Sequence, residues 1–290
     1  MLSLELLLNA IVSGLLIGGF YAAVTLGISI TFGLLDVANI AHPVFMILGA
    51  YVAYVVNTAV GLDPILTGLL STPLFFVLGV AVYRLYYTSF EKKGTQALRG
   101  LVFFFGLLFI IEVALILQYG VDYRLIEAPY IGQSFSLGVI GFAYRLVIPC
   151  VIGVSLVLAL YAFLSRTFYG RAIMGVSQDS LALRLMGVNP IKIKATAFGL
   201  GIATAGLAGA LLIIIGPVEP SIGREYIGRA FAITVLGGVG SISGTLVAAF
   251  ILGVAESLTT TLYGPSWALA VSFGVLLLVL AVRPAGLFGR

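Results

Sequence analysis

Long apolar runs separated by short polar segments occupy almost the whole of this chain. Most runs contain about 20 residues or more, which is enough for an α-helix to cross a ~30 Å hydrocarbon core. The pattern predicts an all-α polytopic membrane protein, with a single transmembrane domain over residues 1–290. Its eight apolar segments are Leu4–Phe32, Ala41–Val60, Ile65–Ser89, Leu101–Tyr119, Tyr144–Ser165, Ile191–Ile215, Gly228–Tyr263 and Trp267–Val282.

The segment Gly228–Tyr263 is too long for one span and contains the glycine-rich sequence LGGVGSISG over Leu236–Gly244. Each glycine weakens a helix by about 1 kcal/mol relative to alanine. We therefore predict two short helices that meet near Gly237–Ser243, close to the external side, and that enter and leave on one side or cross twice. The hinge glycines are Gly237, Gly238, Gly240 and Gly244. The sequence shows no convincing inverted repeat.

Composition supports the membrane assignment. The chain is 61% hydrophobic and only 9% charged, with a mean hydropathy of +1.19. Its net charge of +4 does not indicate a nucleic-acid partner, because the basic residues lie in loops between spans, where they set orientation in the lipid bilayer. The single cysteine, Cys150, lies in an apolar run and excludes a disulfide framework. The N-terminus lacks signal-peptide features and is interpreted as entering the first span.

The loop charges predict an orientation. The basic loop Arg84–Arg99 and the basic segment Arg166–Lys194 should be cytoplasmic, so that the acidic loops Asp122–Glu127 and Glu219–Glu225 lie outside. The N-terminus is then periplasmic, and Arg283 and Arg290 place the C-terminus in the cytoplasm. This orientation needs an odd number of crossings, whereas eight segments give an even number. The glycine-interrupted segment Gly228–Tyr263 accounts for this mismatch, because it does not behave as a single straight span.

The segment Arg166–Lys194 contains a short amphipathic helix with recognisable ends. Ser177 or Asp179 can cap its start, Gly187 can end it, and Pro190 cannot continue it. A well-capped helix on the cytoplasmic face predicts a docking surface, and we interpret it as a coupling helix that presents an apolar face to an ATPase. The predicted coupling residues are Gln178, Asp179, Leu181, Ala182, Leu185 and Gly187.

A second polar cluster lies between the first two apolar runs. Pro43 fits the first turn of a helix, and Asn39 and His42 would lie just ahead of it, where the helix dipole favours an anion. This arrangement suits a carboxylate on a substrate path. The alternative is an interfacial loop in which Asp36, Asn39 and His42 only cap the helix.

Two acidic residues lie inside apolar runs, where ionisable side chains are costly. Glu112 and Glu256 can mark a permeation path or proton site, or can make interhelical hydrogen bonds. Glu112 is included in the predicted substrate path. The single histidine excludes a multi-histidine metal site, and the sequence has neither a P-loop nor a GxSxG elbow. No enzymatic function is indicated, and this chain should carry no cofactor.

Several motifs in order resemble the LivH-type permease subunits of branched-chain amino acid ABC importers. Segment Asn39–Tyr51 (NIAHPVFMILGAY) is similar to a family signature of the form N-F-A-H-G, followed by a glycine and an aromatic residue. Segment Arg171–Asn189 (RAIMGVSQDSLALRLMGVN) resembles the family's cytoplasmic motif. Three further segments also match: Leu207–Leu211 (LAGAL), Leu236–Thr245 (LGGVGSISGT) and the closing Arg283–Gly289 (RPAGLFG). The resemblance therefore covers nearly the whole chain.

The resemblance implies a subunit of an importer in the bacterial inner membrane. Its implied partners are a LivM-type permease subunit, two ABC ATPases that carry ATP and Mg, and a periplasmic substrate-binding protein. Implied substrates are branched-chain amino acids or related small carboxylate and amide solutes. Pro43 and Leu183 depart from the family pattern; we expect Leu183 to make the docking helix bulkier. The alternatives are an ion-coupled secondary carrier for a small organic acid, and a channel.

Overall fold

The computed structural model describes residues 4–93, 97–283 and 285–289. Within them the chain forms eleven α-helices and one antiparallel pair of strands. The elements are α1 (Leu4–Thr31), α2 (His42–Val60), α3 (Pro64–Ser89), α4 (Ala97–Tyr119), β1 (Ser134–Leu137), β2 (Ile140–Ala143), α5 (Tyr144–Arg166), α6 (Phe168–Gln178), α7 (Ser180–Leu185), α8 (Pro190–Ile215), α9 (Gly223–Gly237), α10 (Ile242–Tyr263) and α11 (Ala268–Val282).

Eight helical segments in the described part of the chain are long and apolar enough to cross a membrane. This confirms the predicted all-α polytopic architecture. Helix α8 lies at the centre of the bundle and is almost entirely buried, while α3, α4, α5 and α11 expose long apolar faces. The exposed apolar faces are what a bilayer or a second membrane subunit would cover.

Contacts between distant segments define the two ends of the bundle. At one end, called here the hairpin end, Asn9 Nδ2 donates to the Val139 carbonyl beside the strands (2.9 Å). The Tyr130 hydroxyl donates to Asp63, between α2 and α3, at that same end (2.9 Å). At the other end, called the basic end, Lys194 forms an ion pair with Glu91 (2.7 Å). Helices α6 and α7 lie at the basic end, next to the start of α8.

Helix α1 starts at the hairpin end and packs closely on α10 through small residues. A Cβ atom on Gly14 would lie 2.6 Å from Val254 Cα, and one on Gly18 would lie 2.8 Å from Phe250 Cα. The two backbones therefore touch, as expected for glycines four residues apart on membrane helices.

The helix order of the first part recurs in the last part. A long helix, a short helix and another long helix follow one another as α1, α2, α3 and again as α8, α9, α10. Helix α1 starts at the hairpin end and packs along α10, whereas α8 starts at the basic end and packs along α3. The two sets thus run in opposite directions. This inverted arrangement lies in helix order and packing and leaves little trace in the sequence, where no convincing repeat is visible.

The glycine-rich segment forms a turn between two helices, as predicted. Helix α9 ends at Gly237 and α10 begins at Ile242, while Gly238 takes the positive φ of +94° that favours glycine. A Cβ atom on Gly237 would lie 2.6 Å from the backbone of Gly244, so the two helices touch directly after the turn. Ser241 caps α10 by accepting from the Gly244 amide (3.1 Å).

The position predicted for this turn was wrong. It lies at the basic end, not at the end expected to be external, because Gly240 packs against Gly33, just after α1 ends. The C-terminal tail also binds there: the Leu287 amide donates to the Leu236 carbonyl (2.8 Å), and Phe288 donates to Gly237 (3.3 Å). Arg290, one of the two arginines that predict a cytoplasmic C-terminus, lies outside the described residues.

Candidate functional site

The predicted coupling helix is present at the basic end as α7. Asp179 caps it, since one carboxylate oxygen accepts from the amides of Leu181 (2.8 Å) and Ala182 (2.9 Å). Ser177, the other predicted cap, instead donates to the Met174 carbonyl within α6. Gly187 follows the helix with φ +81°. The predicted ends of this helix are therefore confirmed, with Asp179 as its cap.

Helix α7 presents apolar side chains to the outside of the protomer. Leu181 and Ala182 are exposed, and Leu185 is 83% exposed. Gln178, the last residue of α6, is also exposed. Leu183 is buried against the rest of the protomer, so its bulkier side chain packs inward and holds α7 in place.

Asn39 and His42 are buried inside the protomer, and His42 is the first residue of α2. Pro43 occupies the first turn, as predicted. The His42 Nε2 atom lies 2.9 Å from the Val24 carbonyl of α1, seven residues before α1 ends. Helix α2 therefore starts inside the bundle. The Asn39 amide group and His42 Nδ1 have no hydrogen-bond partner among the described residues. Their place on a substrate path stays a prediction.

Glu112 is held by a residue from α9. Its carboxylate accepts from Arg224 Nε (2.9 Å) and also forms an ion pair with Arg224 Nη2. The Glu112 side chain is only 4% exposed, while that of Arg224 is 53% exposed. The Arg224 guanidinium also lies over the Phe109 ring, 5.1 Å from its centroid. These contacts join the first turn of α9 to α4.

Glu256 lies in a second buried charge cluster. Its carboxylate accepts hydrogen bonds from the Tyr21 hydroxyl (2.6 Å), Arg229 Nε (3.1 Å) and Ser272. The cluster connects α1, α9, α10 and α11, and it satisfies the carboxylate on several sides. The interhelical interpretation of both acidic residues agrees with these contacts.

A cavity of about 540 Å³ adjoins this second cluster. Glu225 and Arg229 line it from α9, and Glu256 lines it from α10. Hydroxyl groups of Ser257, Thr260, Thr261 and Ser266 give it a polar wall towards the hairpin end. A cavity of this size and polarity can hold water or a small polar solute.

Arg224 and Arg229 are functional candidates that sequence reasoning missed. The segment Glu219–Glu225 was interpreted as an external loop, which is wrong for Glu225, because α9 already begins at Gly223. Gly223 packs against the first turn of α2 inside the bundle. A signal was available in the sequence: two acidic residues within spans need cationic partners, and two arginines five positions apart precede the glycine turn.

Comparison with known proteins identifies relatives over nearly the full length. Residues 10–280 match the family described as "Branched-chain amino acid transport system / permease component". The chain is 30% identical to the high-affinity branched-chain amino acid transport system permease protein BraD of Pseudomonas aeruginosa and to LivH of Escherichia coli. Each alignment covers 98% of this chain and 96% of the relative.

One solved structure has a similar fold. It is that of PsaBC from Streptococcus pneumoniae in complex with Fab, with a TM-score of 0.50 and 14% sequence identity. The similarity covers 98% of this chain and 94% of the other. At this identity the comparison supports the helical arrangement alone.

Proposed function

This chain belongs to the family of branched-chain amino acid transport system permease components. We propose that it is one of the two permease subunits that form the membrane domain of an ABC importer. The proposed substrates are branched-chain amino acids, which the names of the relatives mention, or related small carboxylate and amide solutes. The protein lies in the bacterial inner membrane, with the N-terminus periplasmic and the basic end in the cytoplasm.

The observation that carries this proposal is the exposed apolar surface of α7. A six-residue helix capped by Asp179 and fixed by the buried Leu183 presents Leu181 and Leu185 to the outside at the basic end. Exposed apolar patches of this kind mark protein contacts, and a helix placed in a groove is a common form of such contacts. An ATPase subunit is the partner proposed for this surface.

The remaining partners follow from the same proposal. A LivM-type permease subunit pairs with this chain across exposed apolar helices, and two ATPase subunits supply ATP and Mg. A periplasmic substrate-binding protein delivers the solute at the hairpin end. This chain carries no P-loop sequence, so the energy source must be on another subunit.

The test is to place a charge on the apolar face of α7. Ala182→Asp should release the ATPase subunits during purification and abolish ATP-driven uptake, while the permease remains folded. Ala182→Ser is the matched control, since it keeps the side chain small and uncharged. This variant should keep its ATPase subunits and its ATP-driven uptake. Full uptake by the Ala182→Asp complex would remove the coupling role from α7.

The alternative function, an ion-coupled secondary carrier, would require an intramembrane carboxylate that is free to exchange an ion or proton. Glu112 and Glu256 are both engaged by arginines. These contacts favour a structural or path-lining role for the acidic residues and leave the carrier without a candidate coupling site among them.

A further inference from the structure

Arg224 is a half-exposed cation that lies within the membrane-spanning part of the protomer. It pairs with Glu112, which lies seven residues before α4 ends, or about 10 Å along the helix at 1.5 Å per residue. The residue before it, Gly223, packs against Pro43 and Ile47 in the first two turns of α2, which itself starts inside the bundle. The first turn of α9 therefore lies well below the surface of the hairpin end.

A charged side chain in contact with lipid inside the membrane is costly. Arg224 and its neighbour Glu225 are both about half exposed in the protomer. Two adjacent charged side chains should therefore meet water or protein and not hydrocarbon. The first turn of α9 is therefore compatible with a polar path through the membrane.

The Arg224 guanidinium is held in a fixed orientation and still has donors to spare. Glu112 binds the edge formed by Nε and Nη2, and Phe109 lies against the guanidinium. The Nη1 group makes no hydrogen bond to the part of the chain that the structure describes. A guanidinium has five N–H donors, and planar donor pairs suit carboxylates.

We infer that Arg224 lines the translocation path and binds the carboxylate of the passing solute through its free donors, with Glu112 as the residue that positions it. This inference rests on the proposed function, and it assigns to the solute a carboxylate group. The passing carboxylate shares the guanidinium with Glu112, which already neutralises much of its charge. The carboxylate is therefore bound weakly enough to dissociate again. Hydrogen bonds in which both partners are charged are stronger than those between neutral groups.

The first experiment tests whether the position faces water. In a chain whose only cysteine is removed by Cys150→Ser, Arg224→Cys is combined with Glu112→Gln, so that no buried carboxylate is left unpaired. A negatively charged, membrane-impermeant thiol reagent is applied to the assembled transporter in liposomes. The control is Ile110→Cys, an exposed apolar position on α4 two residues from Glu112. We expect labelling at Arg224→Cys at least tenfold faster than at Ile110→Cys; equally slow labelling would overturn the inference.

The second experiment tests the carboxylate contact. Glu112→Gln alone keeps the cation, whereas Glu112→Gln with Arg224→Gln removes both charges. The single variant loses the positioning contact and should transport leucine several-fold more slowly than the unmodified complex. The double variant, which also lacks the guanidinium, should be at least tenfold slower than the single variant while its ATPase activity, stimulated by the binding protein, persists. Equal transport by the two variants would overturn the carboxylate contact. Absence of ATP-driven uptake in the unmodified complex would instead contradict the proposed function, and the labelling result would still decide whether Arg224 faces water.

Discussion

The guanidinium of Arg224 binds the carboxylate of Glu112 along one edge, with Nε 2.9 Å from Oε2, and thereby ties the first turn of α9 to α4. The two partners differ in their surroundings, because Glu112 is buried and Arg224 is half exposed. The pair therefore does two things at once. It neutralises an acidic residue inside the membrane domain, and it fixes a cation at the surface of the protomer.

This asymmetry predicts unequal effects of removing each charge. Arg224→Gln leaves the Glu112 carboxylate buried without its cation, and breaking a buried pair in this way costs about 3–5 kcal/mol. The exposure of Arg224 should reduce this to the lower part of the range. Glu112→Gln leaves a cation that water can reach, so we expect a loss of about 1 kcal/mol or less. Thermal unfolding of the purified complexes measures which of the two variants is less stable.

The double variant Glu112→Gln with Arg224→Gln provides the control for this prediction. It should be more stable than Arg224→Gln alone, since no buried charge remains. If Glu112→Gln were the more destabilising single change, the interpretation of Arg224 as the accessible partner would be wrong.

A second prediction concerns the start of α2. His42 joins α2 to the Val24 carbonyl of α1 inside the bundle. His42→Ala removes this contact and leaves space in a fully buried site, so transport should fall while the ATPase subunits remain bound. His42→Gln, whose amide can reach the same carbonyl, should retain more activity. Uptake assays with parallel co-purification test this, and unchanged uptake by His42→Ala would exclude a role in transport.

The turn between α9 and α10 gives a third prediction. Gly237→Leu should prevent the close contact with Gly244, and Gly238→Ala should be strained by the positive φ of +94°. Both changes should lower the yield of assembled complex. Gly106→Ala is the control, because a Cβ atom at this helical position in α4 meets open space. Equal yields for all three variants would show that the turn tolerates side chains.

Much of the fold could be predicted from the sequence because apolar runs and helix caps are local signals. The ends of α7 follow from Asp179 and Gly187, which act within a few residues of the helix that they bound. The turn at Gly237 was predictable for the same reason. Its position at the basic end was not, because that depends on α9 starting inside the bundle.

The candidate site was less predictable because its contacts are distant in sequence. Glu112 was identified as costly within a span, but Arg224 lies 112 positions further on, in a segment interpreted as a loop. His42 and Asn39 were recognised as polar residues at a helix start. Their burial depends on α1 and α8 packing over them, and no local pattern specifies that packing.

As a permease component of an ABC importer, this chain should carry solute only when ATPase subunits drive it. The test is uptake of radiolabelled leucine into liposomes that contain the complete transporter. The binding protein is supplied on the side of the hairpin end, and ATP on the side of the basic end. We expect leucine to accumulate only with ATP hydrolysis, and to do so when ionophores collapse the proton and sodium gradients. Accumulation by this chain without ATPase subunits, driven by an imposed ion gradient, would contradict this expectation.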